Sequence, residues 1–300
     1  MYITLIGGSG LIGRALTKEL GYFDDNVTIL SRRSRPDGLP ERIKWANWDG
    51  KDVEALQKLL LVQDAVVNLA GESIGKGRWT PARKEELLHS RLDPTQAIVA
   101  AMKGMKQPPR VLVQASAVGI YPSGEAIMDE RGPVGHDFLA SLAQSWEAAS
   151  QPVEDVGVRR VIIRSGVVLS KDGGVLSQLT LPFKYFVGGP IGSGKQYLPW
   201  IHIDDEIGAI RFLLHNENAR GIYNLNAPEI VRNAEMGKML ARVMKRPYWM
   251  PVPGFMLRLV LGEMSTLVLD GQHVFPVRIV KEGYSFRYYH LEPALRDLLS

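Results

Sequence analysis

Cysteine is absent from the 300-residue chain. No disulfide can form and no thiolate can act as nucleophile or ligand, which fits a reducing compartment. Histidine is scarce, with six scattered residues and no paired carboxylate–histidine spacing on which to build a metal site. Runs of Lys and Arg with interleaved aromatics are missing, and the net charge is only +4, so nucleic acid is not an expected partner. No apolar run approaches the ~20 residues that cross a bilayer. The first residues already read as a strand, which leaves no room for a secretory leader. These absences point to a soluble cytoplasmic protein that handles a small molecule, with no membrane partner. Apolar residues make up 45% of the chain, enough for a sizeable core in one large α/β domain or two.

Glycine is plentiful, 30 residues in all, and its first cluster organises the chain. Tyr2-Ile-Thr-Leu-Ile6 reads as a strand, and Gly7-Gly-Ser-Gly-Leu-Ile-Gly13 follows it. Leu11, Ile12, Ala15, Leu16 and Leu20 then recur at helical spacing. Strand, glycine turn and helix in that order build a phosphate site. Gly7 permits the tight turn, Gly10 lets the backbone approach a pyrophosphate, and Gly13 lets helix and strand pack closely. The free N–H groups of the helix then face the anion. A second strand at 26–30 ends in Ser31-Arg32-Arg33, beside the adenosine ribose of a βαβ unit. An acid there would bind the 2′-hydroxyl of NAD, whereas Arg32 and Arg33 suit the 2′-phosphate of NADP. NADP(H) is therefore the expected cofactor, against the plainer reading of two solvated loop charges.

Strand-like and helical stretches alternate through the first half. After a Pro/Gly/Arg-rich loop at 34–41, strands are expected at 43–48, 64–70, 111–118 and 158–169. Helices are expected at 53–61, 81–103 and 138–156, with Pro94 marking a break or kink. This order implies an α/β fold, a Rossmann-type doubly wound parallel sheet with ligands at the C-terminal strand ends. Glycine and proline become denser after Ser170. Residues 188–199 read as irregular, 200–203 and 221–226 as short strands, 204–214 as a helix, and 233–244 as a helix capped by Asn233. The expected division is a nucleotide-binding domain at 1–170 that also receives parts of 199–226, with a smaller substrate-facing lobe at 171–198 and 227–300.

Gly7-Gly-Ser-Gly-Leu-Ile-Gly13, Asn68-Leu-Ala-Gly71, Ser116 in Ala-Ser-Ala-Val-Gly-Ile-Tyr121, and Trp200-Ile-His-Ile-Asp-Asp205 resemble the extended short-chain dehydrogenase/reductases. Glu72 with Arg78-Trp79 and Ser90-Arg91, the stretch Gly188-Gly-Pro-Ile-Gly-Ser-Gly194, and Leu269-Asp-Gly-Gln-His-Val-Phe-Pro276 narrow the resemblance. They look like the atypical branch of YfcH-like "epimerase family" proteins, and the resemblance covers essentially the whole chain. It implies a cofactor cradle of Gly7, Ser9, Gly10, Leu11, Ile12 and Gly13, with Leu69, Ala70, Gly71 and Glu72 bordering the ribose. It also implies that Ser116 bonds the substrate oxygen. Active relatives carry Tyr-x-x-x-Lys, with an acid four positions later. Aligning that acid on Glu147 puts Leu139 at the Tyr position and Ala143 at the Lys position. A phenol titrates near 10 unless an adjacent cation lowers it, and general acid–base catalysis contributes about 100- to 10,000-fold.

The side chains left to consider each have two readings. Tyr121 is either an acid or a stacking residue. Glu72 either bonds ligand hydroxyls or forms a loop-ordering salt bridge with Arg78 or Arg91. Those arginines, and Lys195 in the glycine-rich loop, either hold anionic substrate groups or are solvated. Asp137 is read as a helix N-cap, and His202 with Asp204 as the brace of a loop–strand junction. Two functions follow. One is an NADP-dependent oxidoreductase or epimerase acting on an unknown carbonyl, sugar or nucleotide-linked compound. The other is an NADPH-binding sensor that acts through a protein partner. A homodimer through the 81–103 and 138–156 helices is the oligomer that the resemblance implies.

Overall fold

The computed structural model describes residues 1–35, 39–40 and 42–300. Pro36, Asp37, Gly38 and Glu41 of the expected 34–41 loop lie outside the described residues. The chain is organised by a seven-stranded parallel sheet. Its strands are β1 (Tyr2–Ile6), β2 (Asn26–Ser31), β3 (Lys44–Asn47), β4 (Ala65–Asn68), β5 (Val111–Ala117), β7 (Arg159–Ser165) and β11 (Gly221–Leu225), after counting β6 (Ile127–Met128), β8 (Val167–Ser170), β9 (Gly173–Gly174) and β10 (Trp200–His202) in between. The spatial order β11-β7-β5-β4-β1-β2-β3 reverses direction beside β1, where open α/β sheets bind their ligands.

The strands are buried on both faces because helices cover both. Ala65 and Val67 point into one core with Ile3, Leu5, Val27 and Ile29. Val66 points into the other, with Ile6, Leu30 and Leu112. Alternation along each strand thus feeds two separate cores. The first core lies under α1 (Leu11–Tyr22) and α6 (Ile203–His215), joined by α5 (Val175–Lys184), α7 (Asn233–Met244) and the C-terminal α11 (Leu291–Leu299). The second lies under α2 (Val53–Leu60) and α3 (Pro81–Lys103), with α4 (Phe138–Ser150) packed beside α3. Three short helices, α8 (Gly254–Leu261), α9 (Thr266–Leu269) and α10 (Val277–Lys281), belong to the tail. Strand β12 (His273–Val274) pairs with β6.

Three sequence expectations are corrected. The stretch 158–169 is not one strand. It divides at Gly166 into β7 of the large sheet and β8 of a second sheet with β9 and β10. Gly166 sits so close to the chain that a Cβ there would lie 2.4 Å from the Pro199 carbonyl oxygen. Pro94 does not interrupt α3, which runs unbroken for 23 residues. Pro94 and Thr95 are buried, and the Thr95 hydroxyl accepts bonds from Asn68 and Trp146, so packing overrides the missing N–H. Asn233 is the first residue of α7 rather than its cap. The Glu235 carboxylate instead accepts from the Arg232 N–H at 2.6 Å.

Candidate functional site

The glycine turn has the geometry its spacing implies. Gly7 has φ +82°, and a Cβ on it would lie 2.6 Å from the Leu69 carbonyl oxygen. A Cβ on Gly13 would lie 2.4 Å from the Gly7 carbonyl oxygen. Only glycine fits either position. Helix α1 starts at Gly10 with no side-chain cap and no acid in its first turn, so its leading N–H groups have no competing side chain. Leu11 and Ile12 are half-buried behind the turn, and the Ser9 carbonyl accepts from Arg14 at 2.8 Å. Leu69, Ala70 and Gly71 follow β4 on the opposite side, and these residues fit a dinucleotide cradle.

Beside the turn lies a cleft of about 680 Å³, bordered by Gly8, Ser9, Thr17, Ile29, Ser34 and Trp45. Four cations line it as well: Arg14, Lys18, Arg33 and Arg42. Arg32 points elsewhere, reaching Glu72 at 3.4 Å. Of the two expected phosphate readers, the structure brings only Arg33 into the cleft. Glu72 pairs across the β2 and β4 ends rather than with Arg78 or Arg91.

A smaller cavity of about 190 Å³ opens at the ends of β5 and β7. Leu139, Leu142, Ala143 and Trp146 form its α4 wall. Leu139 and Ala143 hold the positions where the resemblance expects Tyr and Lys, so that wall is apolar. Gly119, Ser165 and Val167 form the floor, and Tyr197, Leu267 and Asp270 close the outer side. Burial raises the Asp270 pKa above the usual carboxylate range. Arg91 also lines the cavity. Its guanidinium donates to the carbonyls of Leu87 and Glu72, each at 3.0 Å, and sits 5.0 Å from the Trp146 ring centre. Burial lowers its pKa to about 10, which leaves it cationic at neutral pH, and it has no ion-pair partner among the described residues. A Cβ on Gly71 would lie 3.1 Å from the Arg91 guanidinium carbon, so Arg91 bridges the segment after β4 and the cavity.

Arg78 and Lys195 do not line the cavity. Arg78 donates to the Leu259 carbonyl at 3.3 Å. Lys195 is exposed, and its carbonyl holds Arg232. Ser116 and Tyr121 are withdrawn from it into a buried network. The Ser116 hydroxyl donates to Glu147 Oε1 at 2.6 Å. The Tyr121 hydroxyl donates to Asn224 at 2.8 Å and accepts from Arg164 at 2.7 Å. Burial raises the Tyr121 pKa, opposite to what a proton-shuttling phenol needs. Asp137 caps α4, accepting from Ala140 at 2.8 Å, and His202 accepts from the Asp204 N–H at 3.0 Å.

One functional group escaped the sequence reading. Glu206 on α6 is fully buried. Its Oε1 accepts from the cavity-lining Ser165 hydroxyl at 2.5 Å, and among the described residues its Oε2 has no hydrogen-bond partner. Burial pushes its pKa to about 8, so it holds a proton at neutral pH. The signal lay in its position. Glu206 shares the apolar stripe of Ile203, Ile207 and Ile210, where an acid is out of place. Among the described residues, no group of three or more His, Asp or Glu is placed to hold a metal ion.

A parallel sheet with a glycine turn at its switch point, an arginine-lined cleft and an adjoining cavity define a nucleotide-binding Rossmann fold of the dehydrogenase/reductase type. The model of the NAD dependent epimerase/dehydratase family matches residues 3–225, and the chain belongs to that family. Residues 252–298 match a further domain of unknown function. An epimerase family protein of Staphylococcus aureus is 40% identical over 300 residues, covering 99% of this chain and 98% of its own. The crystal structure of the human epimerase family protein SDR39U1 with NADPH superposes with a TM-score of 0.90 at 35% identity, covering 99% of each chain. A nucleoside-diphosphate sugar epimerase from Corynebacterium glutamicum gives a TM-score of 0.81 at 30% identity, with this chain spanning 58% of that one.

Proposed function

We propose that the chain is an NADP(H)-dependent oxidoreductase or epimerase-like enzyme whose substrate, a small carbonyl, sugar or nucleotide-linked compound, enters the 190 Å³ cavity. The observation that carries this reading is Arg91, a cation that contacts Gly71 and Glu72 at the end of β4 and also lines the cavity. When bound, NADPH supplies a hydride to a carbonyl carbon. The backbone of Gly7, Ser9, Gly10, Leu11, Ile12 and Gly13 holds the pyrophosphate. Arg33, with Arg14 and Arg42, meets the 2′-phosphate. Leu69, Ala70 and Gly71 border the ribose, and Arg32 with Glu72 closes over the adenosine end. Arg91 orients an anionic or carbonyl group of the substrate. The Ser165 hydroxyl lines the cavity, held by Glu206 Oε1, and orients the substrate oxygen; the proton that oxygen takes up on reduction comes from water. Ser116 and Tyr121 act at one remove, as positioning residues of the β5 end.

The test is a fluorescence titration with NADPH and NADH, run on the wild type and on Arg32→Ala/Arg33→Ala. NADPH should bind the wild type more tightly, and the double substitution should erase the preference. Absence of binding by either nucleotide sinks the proposal. A screen of aldehydes, ketones and nucleotide sugars then reads NADPH consumption.

A second reading, an NADPH-binding sensor acting through a protein partner, is favoured by the apolar Leu139–Ala143 wall. It requires NADPH binding without turnover, and capture of a partner that depends on NADPH. Capture unchanged by NADPH removes it.

A further inference from the structure

The outer face of the C-terminal lobe is apolar where a soluble surface should be polar. Helix α8 has no buried residue. Phe255 is 70% exposed and Leu259 78%, one turn apart on the same face, with Met256 and Val260 beside them. Trp249, 63% exposed, and Tyr185, 72% exposed, continue the patch. The two parts are joined, because the Trp249 indole N–H donates to the Phe186 carbonyl at 2.9 Å and the Trp249 N–H to the Gly188 carbonyl at 2.8 Å. Scattered apolar side chains are ordinary on a surface, but a contiguous group marks an interaction site.

Cations outnumber carboxylates along the segments that build this patch, with Asp172, Asp204, Glu235 and Glu263 standing just beyond their ends. Residues 173–203 and 236–262, the two segments that build it, contain Lys184, Lys195, Lys238, Arg242, Lys245, Arg246 and Arg258 and no Asp or Glu. Arg246 lies over the exposed Phe186 ring, 4.4 Å from its centre. Of these seven, Arg242 has a carboxylate partner, Glu292 at 3.5 Å. We propose that this face docks on an anionic lipid bilayer, with Trp249, Phe255 and Leu259 entering the interface and the surrounding cations meeting lipid headgroups. Aromatic and aliphatic side chains ringed by Lys and Arg match the chemistry of a helix lying in the plane of such a surface. A second copy is the poorer occupant, since a twofold contact through this face would set the same cations against each other. Among the described residues no helix is long and apolar enough to cross a membrane, and the proposed contact is peripheral.

The test is flotation of the full chain with vesicles of phosphatidylcholine alone and of phosphatidylcholine with phosphatidylglycerol in equal parts. The protein should float with the anionic vesicles and remain behind with the neutral ones. Lys245→Glu/Arg246→Glu should weaken binding by about fivefold or more per charge, and added salt should weaken it further. Trp249→Ser/Phe255→Ser/Leu259→Ser should abolish flotation while the far-ultraviolet circular dichroism and NADPH titration stay unchanged. Equal recovery with neutral and anionic vesicles, or none with either, overturns the proposal. A dimer in sedimentation that the triple substitution dissolves, without flotation, assigns the face to a second copy instead.

Discussion

Arg164 on β7 and Glu147 on α4 meet in a two-pronged ion pair, Nε to Oε1 and Nη2 to Oε2, both at 2.8 Å. The pair is almost wholly buried and gathers Ser116, Tyr121 and Asn224 around it. Removing one partner strands a charge in a dry interior, so Glu147→Ala should cost about 3–5 kcal/mol of stability. Tyr121→Phe removes one hydroxyl from the same network and should cost about 1–2 kcal/mol. Urea unfolding of both variants checks the order. Equal costs would mean that the network is organised by the phenol rather than by the ion pair.

The raised pKa of Glu206 makes stability depend on pH in a stated direction. Burial pushes the folded group up to about 8, from an ordinary value near 4.5. The native state therefore holds a proton that the unfolded chain releases between these values. Below about pH 4.5 burial carries no ionisation cost. The cost grows as pH climbs through the window and levels off above 8, at a few kcal/mol in order of magnitude. Glu206→Gln cannot ionise, so thermal melts from pH 5 to 9 should show the variant gaining on the wild type as pH rises. A constant gap across that range contradicts a buried, protonated Glu206.

Gly13→Ala places a methyl group 2.4 Å from the Gly7 carbonyl oxygen. The turn must open to admit it, and the affinity for both NADPH and NADH should fall by tenfold or more. Arg33→Ala should act differently, weakening NADPH by about tenfold while sparing NADH. Titrating both nucleotides against both variants separates a damaged cradle from a lost phosphate contact.

Arg91 is the unpaired cation of the cavity. With NADPH present, aliphatic 2-oxo acids should raise the melting temperature of the wild type and leave that of Arg91→Met unmoved. Matching neutral ketones serve as the control, and equal shifts for acids and ketones would remove Arg91 from anion binding.

The fold was legible where local chemistry is decisive. Gly7, Gly10 and Gly13 announce the turn by spacing alone, and apolar runs such as 111–118 announce buried strands. The break at Gly166 was not legible, because the contacts that create it come from Pro199 and Leu225, far along the chain. Pro94 is a related case: it is buried within an unbroken α3, and that burial outweighs a local rule. Arg91 stood out beside a motif, and the structure places it on the cavity wall. Ser116 was placed by resemblance, and nothing local reveals that Glu147 claims its hydroxyl from the next helix. Glu206 was hidden by its neighbours, since Asp204-Asp205-Glu206 reads as an ordinary acidic helix start until the stripe of isoleucines is followed through it.

The crossing at Gly166 also determines how a molecule can reach the cavity. The chain leaves the large sheet at the end of β7 and enters the small sheet as β8, bonded on the way to the Leu225 carbonyl at 2.8 Å and the Pro199 carbonyl at 2.6 Å. Two sheets stitched by this crossing cannot swing apart like a clamshell without tearing those bonds. The doorway then falls to the outer wall at 266–272, built from a short helix and loop and fastened to α3 by the Lys84–Glu263 ion pair at 2.6 Å. The same wall is held by Gln196, donating to the Val268 carbonyl at 2.7 Å, and by the Gly124 N–H, donating to the Gly271 carbonyl at 3.1 Å, so the crossing and the wall together enclose the cavity.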